Sequence, residues 1–144
     1  SVCYASSKEK FIQEAFRLLT PGGRLVIADG FVTKRENNDH PVIRRWLDGW
    51  QVNYLETPER FSGFMQEAGF SDIQYRDISR EVGRSARRLY LFYYLASGYL
   101  WWKKLSFSRP PTAMQKKNII ACKCQYNGLK SGLWQYGLLA GKKP

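Results

Sequence analysis

The 144-residue sequence has one histidine, His40, and three cysteines, Cys3, Cys122 and Cys124. Three cysteines do not make a disulfide framework and point to a reducing compartment. Cys122-x-Cys124 has no second Cys or His pair beside it, so no metal is expected. The sequence contains no G-x-G, and with it goes the glycine-rich loop that lets phosphates approach the backbone. Acidic residues are scarce, 12 Asp and Glu against 23 Lys and Arg, and the net charge is +11. The cations fall in dispersed pairs such as Lys103-Lys104, Lys116-Lys117 and Lys142-Lys143, so the excess reads as balanced by carboxylates elsewhere in a longer protein. No nucleic-acid motif is present, and the aromatic rings are not interleaved with cations as stacking platforms require, which ranks nucleic acid last among partners. There is no initiating Met. Ser1 is expected to lie inside a longer product, and residues 1–10 carry no signal-peptide pattern.

What the sequence does have is apolar and aromatic material, 44% and 15% of residues. That suits one globular domain, and so many rings suit a pocket for an organic ligand. Ser6 followed by Glu9 reads as a capping box opening a helix, with Phe11, Ile12, Ala15, Leu18 and Leu19 on its buried stripe. Thr20-Pro21-Gly22-Gly23 stops it. Leu25 to Ala28 is an unbroken apolar run, expected as a strand buried on both faces of a parallel sheet, with Asp29 and Gly30 closing it. Thr33 to His40 reads as loop. Val42, Ile43, Trp46, Leu47 and Trp50 recur at helical spacing, although Gly49 interrupts them.

Thr57-Pro58-Glu59 starts another helix, ended by Gly69, and a strand follows over about 72–78. Leu89 to Trp102 is the most apolar segment, flanked by Arg87-Arg88 and Lys103-Lys104. It falls short of the roughly 20 residues a membrane span needs. A buried or interfacial helix is expected, with contact to a membrane surface as an alternative role. Ser106 to Thr112 reads as a linker, Met114 to Tyr126 as helix or strand, and Leu133 to Ala140 as a strand. The order of elements gives an α/β fold of three strands with a long insertion, about 79–131, before the last.

Leu18 to Phe31, LLTPGGRLVIADGF, resembles the late helix, PGG turn and fifth strand of class I S-adenosylmethionine-dependent methyltransferases. The stretch from Thr57 to Ile73, with its EAGF ending, resembles the helix and sixth strand of that family. Ser131 to Pro144 is similar to its closing antiparallel strand, and Ser1 to Ala5 to the loop after its fourth strand. The nearest likeness is to tocopherol- and sterol-type small-molecule enzymes. The resemblance implies the carboxyl-terminal part of a Rossmann-like sheet, its last strand antiparallel, with a largely helical insertion or lid. Residues 1–144 then form the second half of the domain, and the cofactor-binding half, with its glycine loop, is absent.

The implied cofactor is S-adenosylmethionine, with its main contacts outside this chain. The implied reaction is methyl transfer to a small apolar or aromatic acceptor, and the isolated piece is expected to be inactive. Methyl transfer leans on proximity and orientation more than on acid–base help. His40 and Asp29 are the candidate catalytic groups, one with a pKa suited to proton abstraction, the other at the end of a strand facing the ligand crevice. Tyr4, Phe31, Trp46 and Trp50 are the candidate substrate wall. For each there is a plainer role: solvated loop for His40, turn cap for Asp29, packing for the rings. The alternative for the whole chain is a basic, aromatic-rich membrane-surface or interaction module without catalysis.

Overall fold

The computed structural model describes residues 2–105 and 110–144. A 3₁₀ turn at Val2–Tyr4 precedes helix α1, Lys8–Leu18, and strand β1, Arg24–Val32. A second 3₁₀ turn, Arg35–Asp39, leads into α2, Pro41–Trp50, and then α3, Pro58–Glu67. Strand β2, Ser71–Asp77, is followed by two long helices, α4, Ser79–Leu105, and α5, Ala113–Lys130, and by the last strand β3, Trp134–Lys142.

The sheet has the order β1-β3-β2, with β3 antiparallel to both neighbours. β1 and β2 therefore run parallel to each other, and the last strand is inserted between them. β1 runs to Val32, past the expected end at Ala28, because β3 pairs with it as far as Val32↔Trp134. Asp29 and Gly30 accordingly lie within the strand. Nor is β1 buried on both faces. Ile27, Asp29 and Phe31 are buried on one side, whereas Arg24, Val26 and Ala28 are exposed on the other, Val26 at 61%. An apolar run hides this alternation, which only the antiparallel partner and the helix positions decide.

Local chemistry explains most boundaries. α1 is capped by Ser7, not Ser6: the Ser7 side chain accepts a hydrogen bond from Lys10 N at 3.2 Å. Thr57 caps α3 with Pro58 in its first turn, and Thr112 caps α5 in a reciprocal box with Gln115. The Thr20–Gly23 turn uses Gly22 at φ +81°, a conformation open to glycine. The carboxyl-terminal Lys143 then finishes α1: its Nζ donates to Phe16 O and Leu19 O, each at 2.8 Å, placing a cation at the negative end of the helix. Met114 to Tyr126, open between helix and strand in the sequence, is helix, and Cys122 and Cys124 are buried on it as free thiols. The expected linker from Ser106 lies outside the described residues as far as residue 109; beyond it come Pro110, Pro111 and the cap Thr112.

Two cores flank the sheet. Ile12 of α1 and Phe61, Phe64 and Met65 of α3 pack with Ile27, Phe31, Phe70 and Leu139. Ile43, Trp46 and Leu47 of α2 pack with Ala121 and Cys124 of α5 and with Val32 and Trp134. The first core holds an unpaired polar atom. The Tyr75 ring lies edge-on to Phe31, at 5.6 Å between centroids, and over Gly137, where any Cβ would collide with it. Its Oη is buried without a hydrogen-bond partner among the described residues.

Burial, with the charges of Asp77 and Glu59 behind it, pushes the Tyr75 phenol up to about 12. The folded chain therefore keeps a proton that the unfolded chain releases above about pH 10, and stability falls as the pH rises from about 10 to 12. Tyr75→Phe removes both penalties. It should raise stability by about 1 kcal/mol at neutral pH and flatten the alkaline loss. Thermal unfolding at neutral pH and again above pH 10 reads both effects, and a lower melting temperature than the parent's would refute the reading.

Candidate functional site

Asp29, midway along β1, is the polar centre of the sheet's outer edge. Its side chain is buried, with Oδ2 accepting from Cys3 N at 2.9 Å and Oδ1 from Gly30 N at 2.8 Å. The first contact pins the Val2–Tyr4 turn against β1 and leaves Tyr4 projecting into solvent, 56% exposed. Burial and the neighbouring Cys3 and Asp29 raise the Tyr4 phenol above its ordinary pKa.

Lys8 completes the group. It opens α1, where the helix dipole disfavours a cation, yet it is only 2% exposed. Its Nζ donates to Cys3 O and Ala5 O, each at 2.8 Å, and sits over the Tyr54 ring at 4.3 Å from the centroid. Those carbonyls and the ring replace water around the ammonium. Burial lowers the Lys8 pKa, against the opposing pull of Cys3, Glu56 and Asp29. Tyr136 approaches from β3, its hydroxyl donating to Ala28 O at 3.3 Å. Burial first, then Asp29 and Cys3, raises its pKa.

Of the six residues singled out by sequence, the structure thus brings Tyr4 and Asp29 together. The other four have partners elsewhere, although Phe31 shares the buried side of β1 with Asp29. Phe31 is in the first core, edge-on to Phe61 and Tyr75. Trp46 is in the second core, 4.4 Å from Trp134 between ring centroids. Trp50 lies partly exposed at the end of α2. His40 caps α2, its Nδ1 accepting from Val42 N at 3.2 Å. Lys8, Tyr54 and Tyr136 were not singled out. Lys8 had one local signal, a lysine in the first turn of a helix, where the helix dipole disfavours a cation.

A second feature lies in the helical hairpin. α4 and α5 enclose an open cavity of about 550 Å³, with Tyr93, Leu100, Trp101 and Ile119 as apolar wall and Lys103 and Lys116 as cations. The hairpin corresponds to the long insertion before the last strand, and it is helical over Ser79–Leu105 and Ala113–Lys130.

No protein-family model matches the chain. It is 30% identical to an S-adenosyl-L-methionine-dependent Diels-Alderase, iccD, from Talaromyces variabilis, over all of this chain and 49% of the relative. The chain thus spans about half the length of the curated relative it matches. Solved structures share its fold. Haemonchus contortus phosphoethanolamine N-methyltransferase 2 superposes with a TM-score of 0.71 at 15% identity, over 99% of this chain and 31% of that one. Geranyl diphosphate C-methyltransferase from Streptomyces coelicolor does so with a TM-score of 0.64 at 15% identity, over 98% of this chain and 44% of that one. The [4+2]-cyclase SpnF matches over all of this chain and 47% of its own, with a TM-score of 0.62 at 17% identity. The likeness is one of fold and extends over nearly the whole chain: the chain has the fold of the carboxyl-terminal half of a class I S-adenosylmethionine-dependent methyltransferase.

Proposed function

We propose that this chain is the substrate-facing half of an S-adenosylmethionine-dependent enzyme, and that the enzyme methylates a small apolar or aromatic molecule. The supporting observation is the architecture: a methyltransferase-type sheet whose insertion forms an apolar, cation-rimmed cavity. The residues present do not themselves form a cradle for the cofactor. The sequence has no G-x-G, both Asp29 oxygens accept backbone N–H groups, and Lys8 donates to backbone carbonyls. The cofactor contacts therefore belong to a preceding half.

The roles of this half are positional. Asp29 and Lys8 fix the Val2–Tyr4 turn from two sides, so that Tyr4 is held at the sheet edge where the acceptor would meet the donor. The cavity wall of Leu100, Trp101 and Ile119 excludes water and binds the acceptor's apolar body. His40, whose Nδ1 accepts from Val42 N, presents its Nε2–H as a hydrogen-bond donor at the start of α2. Trp46 packs with Ala121 and Cys124 of α5 in the second core, next to the hairpin that carries the wall, whereas Phe31 lies in the first core.

A second reading is favoured by the relative at 30% identity, whose name is that of a Diels-Alderase. A cycloaddition moves no proton and leaves the product isomeric with its substrate. It needs a shaped apolar pocket that holds one reactive conformer, which the cavity supplies. Mass spectrometry of organic-soluble products separates the two. Incubation of the enzyme with methyl-labelled S-adenosylmethionine and candidate apolar acceptors should give a labelled product heavier by one CH2. Conversion to an isomer, with the label still on the cofactor, would replace methyl transfer by cyclisation.

A further inference from the structure

The cations that look dispersed in the sequence are concentrated by the fold. Eleven of the 23 Lys and Arg residues lie between Ser79 and Lys130, but only one of the 12 carboxylates, Glu81. That span therefore carries +10 of the net +11, and the rest of the chain is close to neutral. The same span carries the largest exposed apolar surface. Along α4, Leu91, Phe92, Leu95, Tyr99 and Trp102 share one solvent-facing side, with Leu95 at 74% exposure; Trp101, toward the cavity side, is 68% exposed. At helical rise this apolar strip is roughly 16 Å long. Arg84, Arg87 and Arg88 are exposed one to two turns before it, and Lys103 follows it. Among the described residues no helix is long and apolar enough to cross a membrane.

We propose that α4 lies on an anionic lipid surface, its aromatic face sunk to the headgroup boundary and its flanking cations against the lipid phosphates. An interfacial helix needs these parts in this order: an apolar side rich in Trp and Tyr, with long cationic side chains that reach back to the headgroups. Charge decides between occupants. A second copy of the chain would set one +10 hairpin against another. A nucleic acid would satisfy the cations but leave Leu91 and Leu95 against a polar backbone. An anionic bilayer meets both requirements.

The test is co-sedimentation of the whole chain with vesicles of phosphatidylcholine containing about a quarter phosphatidylserine. Binding is expected at about 0.1 M salt and should weaken strongly at about 1 M, where the screening length falls from about 10 Å to about 3 Å. Leu95→Glu with Trp101→Glu should reduce partitioning tenfold or more with the circular dichroism spectrum unchanged, since both side chains are exposed. Arg84→Gln with Arg88→Gln leaves the apolar face intact and should also lower it about tenfold. No binding at the lower salt overturns the proposal, as does equal binding to phosphatidylcholine alone. So does a self-associated chain that the Leu95 and Trp101 changes turn into a monomer, or an oligonucleotide complex that the same changes abolish.

Discussion

Replacing Trp134 with Ala should cost about 4 kcal/mol, a large share of the 5–15 kcal/mol that holds a domain of this size together. Trp134 begins β3 and is 98% buried, so the sheet and the helical hairpin meet on its ring. It packs on Trp46 of α2, and its indole Nε1 donates to Gln125 O of α5 at 2.8 Å. The backbone of α5 approaches at Gly128, where a Cβ would lie 2.9 Å from the indole Cδ1. Truncation therefore removes a hydrogen bond, leaves a cavity and detaches the helix together. Trp134→Phe keeps a ring and loses the hydrogen bond, at about 1–2 kcal/mol. Urea unfolding should rank the three proteins in that order. A Trp134→Ala loss below about 1 kcal/mol would show that the hairpin is not anchored here.

Gly49→Ala should destabilise by about 3 kcal/mol, although alanine is the better helix former by about 1 kcal/mol. α2 and α5 cross at this glycine. A Cβ there would lie 2.5 Å from Ala121 Cβ and 2.7 Å from Lys117 O. One of those neighbours is backbone, so the helices must move apart and loosen Ile43, Leu47 and Cys124 in the core between them. The ion pair of Lys117 with Asp48, at 2.9 Å on the surface, is too exposed to hold them. Ala121→Gly in the same chain should recover part of the loss. The sign is decisive: a gain of about 1 kcal/mol, as propensity alone dictates, would mean that α5 does not dock on α2 as described.

These two positions also show where sequence reasoning stops. Gly49 is visible only as an interruption of a helical pattern, since its reason is a helix about 70 residues later in the chain. Thr57-Pro58 and Gly69 bound α3 as expected, because caps, proline and a positive φ act locally. β1 outlasts its expected end because its length is set by Trp134 to Lys142, again a distant partner. Gly83 and Gly98 do not break α4, as a run of 27 helical residues tolerates each at modest cost. At the site, Asp29 reads in the sequence as the end of a strand but lies within β1, and Tyr4 stands out by resemblance alone. Lys8 was hidden by a motif that explained its neighbours, and Trp46 and Phe31 are rings whose burial depends on helices that periodicity alone does not place.

The charge distribution follows the same division. Counting along the sequence gives pairs of cations, but only the extent of α4 and α5 shows that nearly all the excess belongs to one hairpin. That hairpin is the part of the fold furthest from the Asp29 cluster in chemistry: one is basic and apolar, the other an internally satisfied polar joint.

The central proposal is a division of labour, with the acceptor wall on this chain and the donor's cradle on a preceding half. Calorimetric titration with S-adenosylhomocysteine tests it most directly. The 144-residue chain alone should give no saturable heat, and the same chain extended upstream through a glycine-loop segment should bind at a single site. Saturable binding by the 144 residues alone would contradict the account.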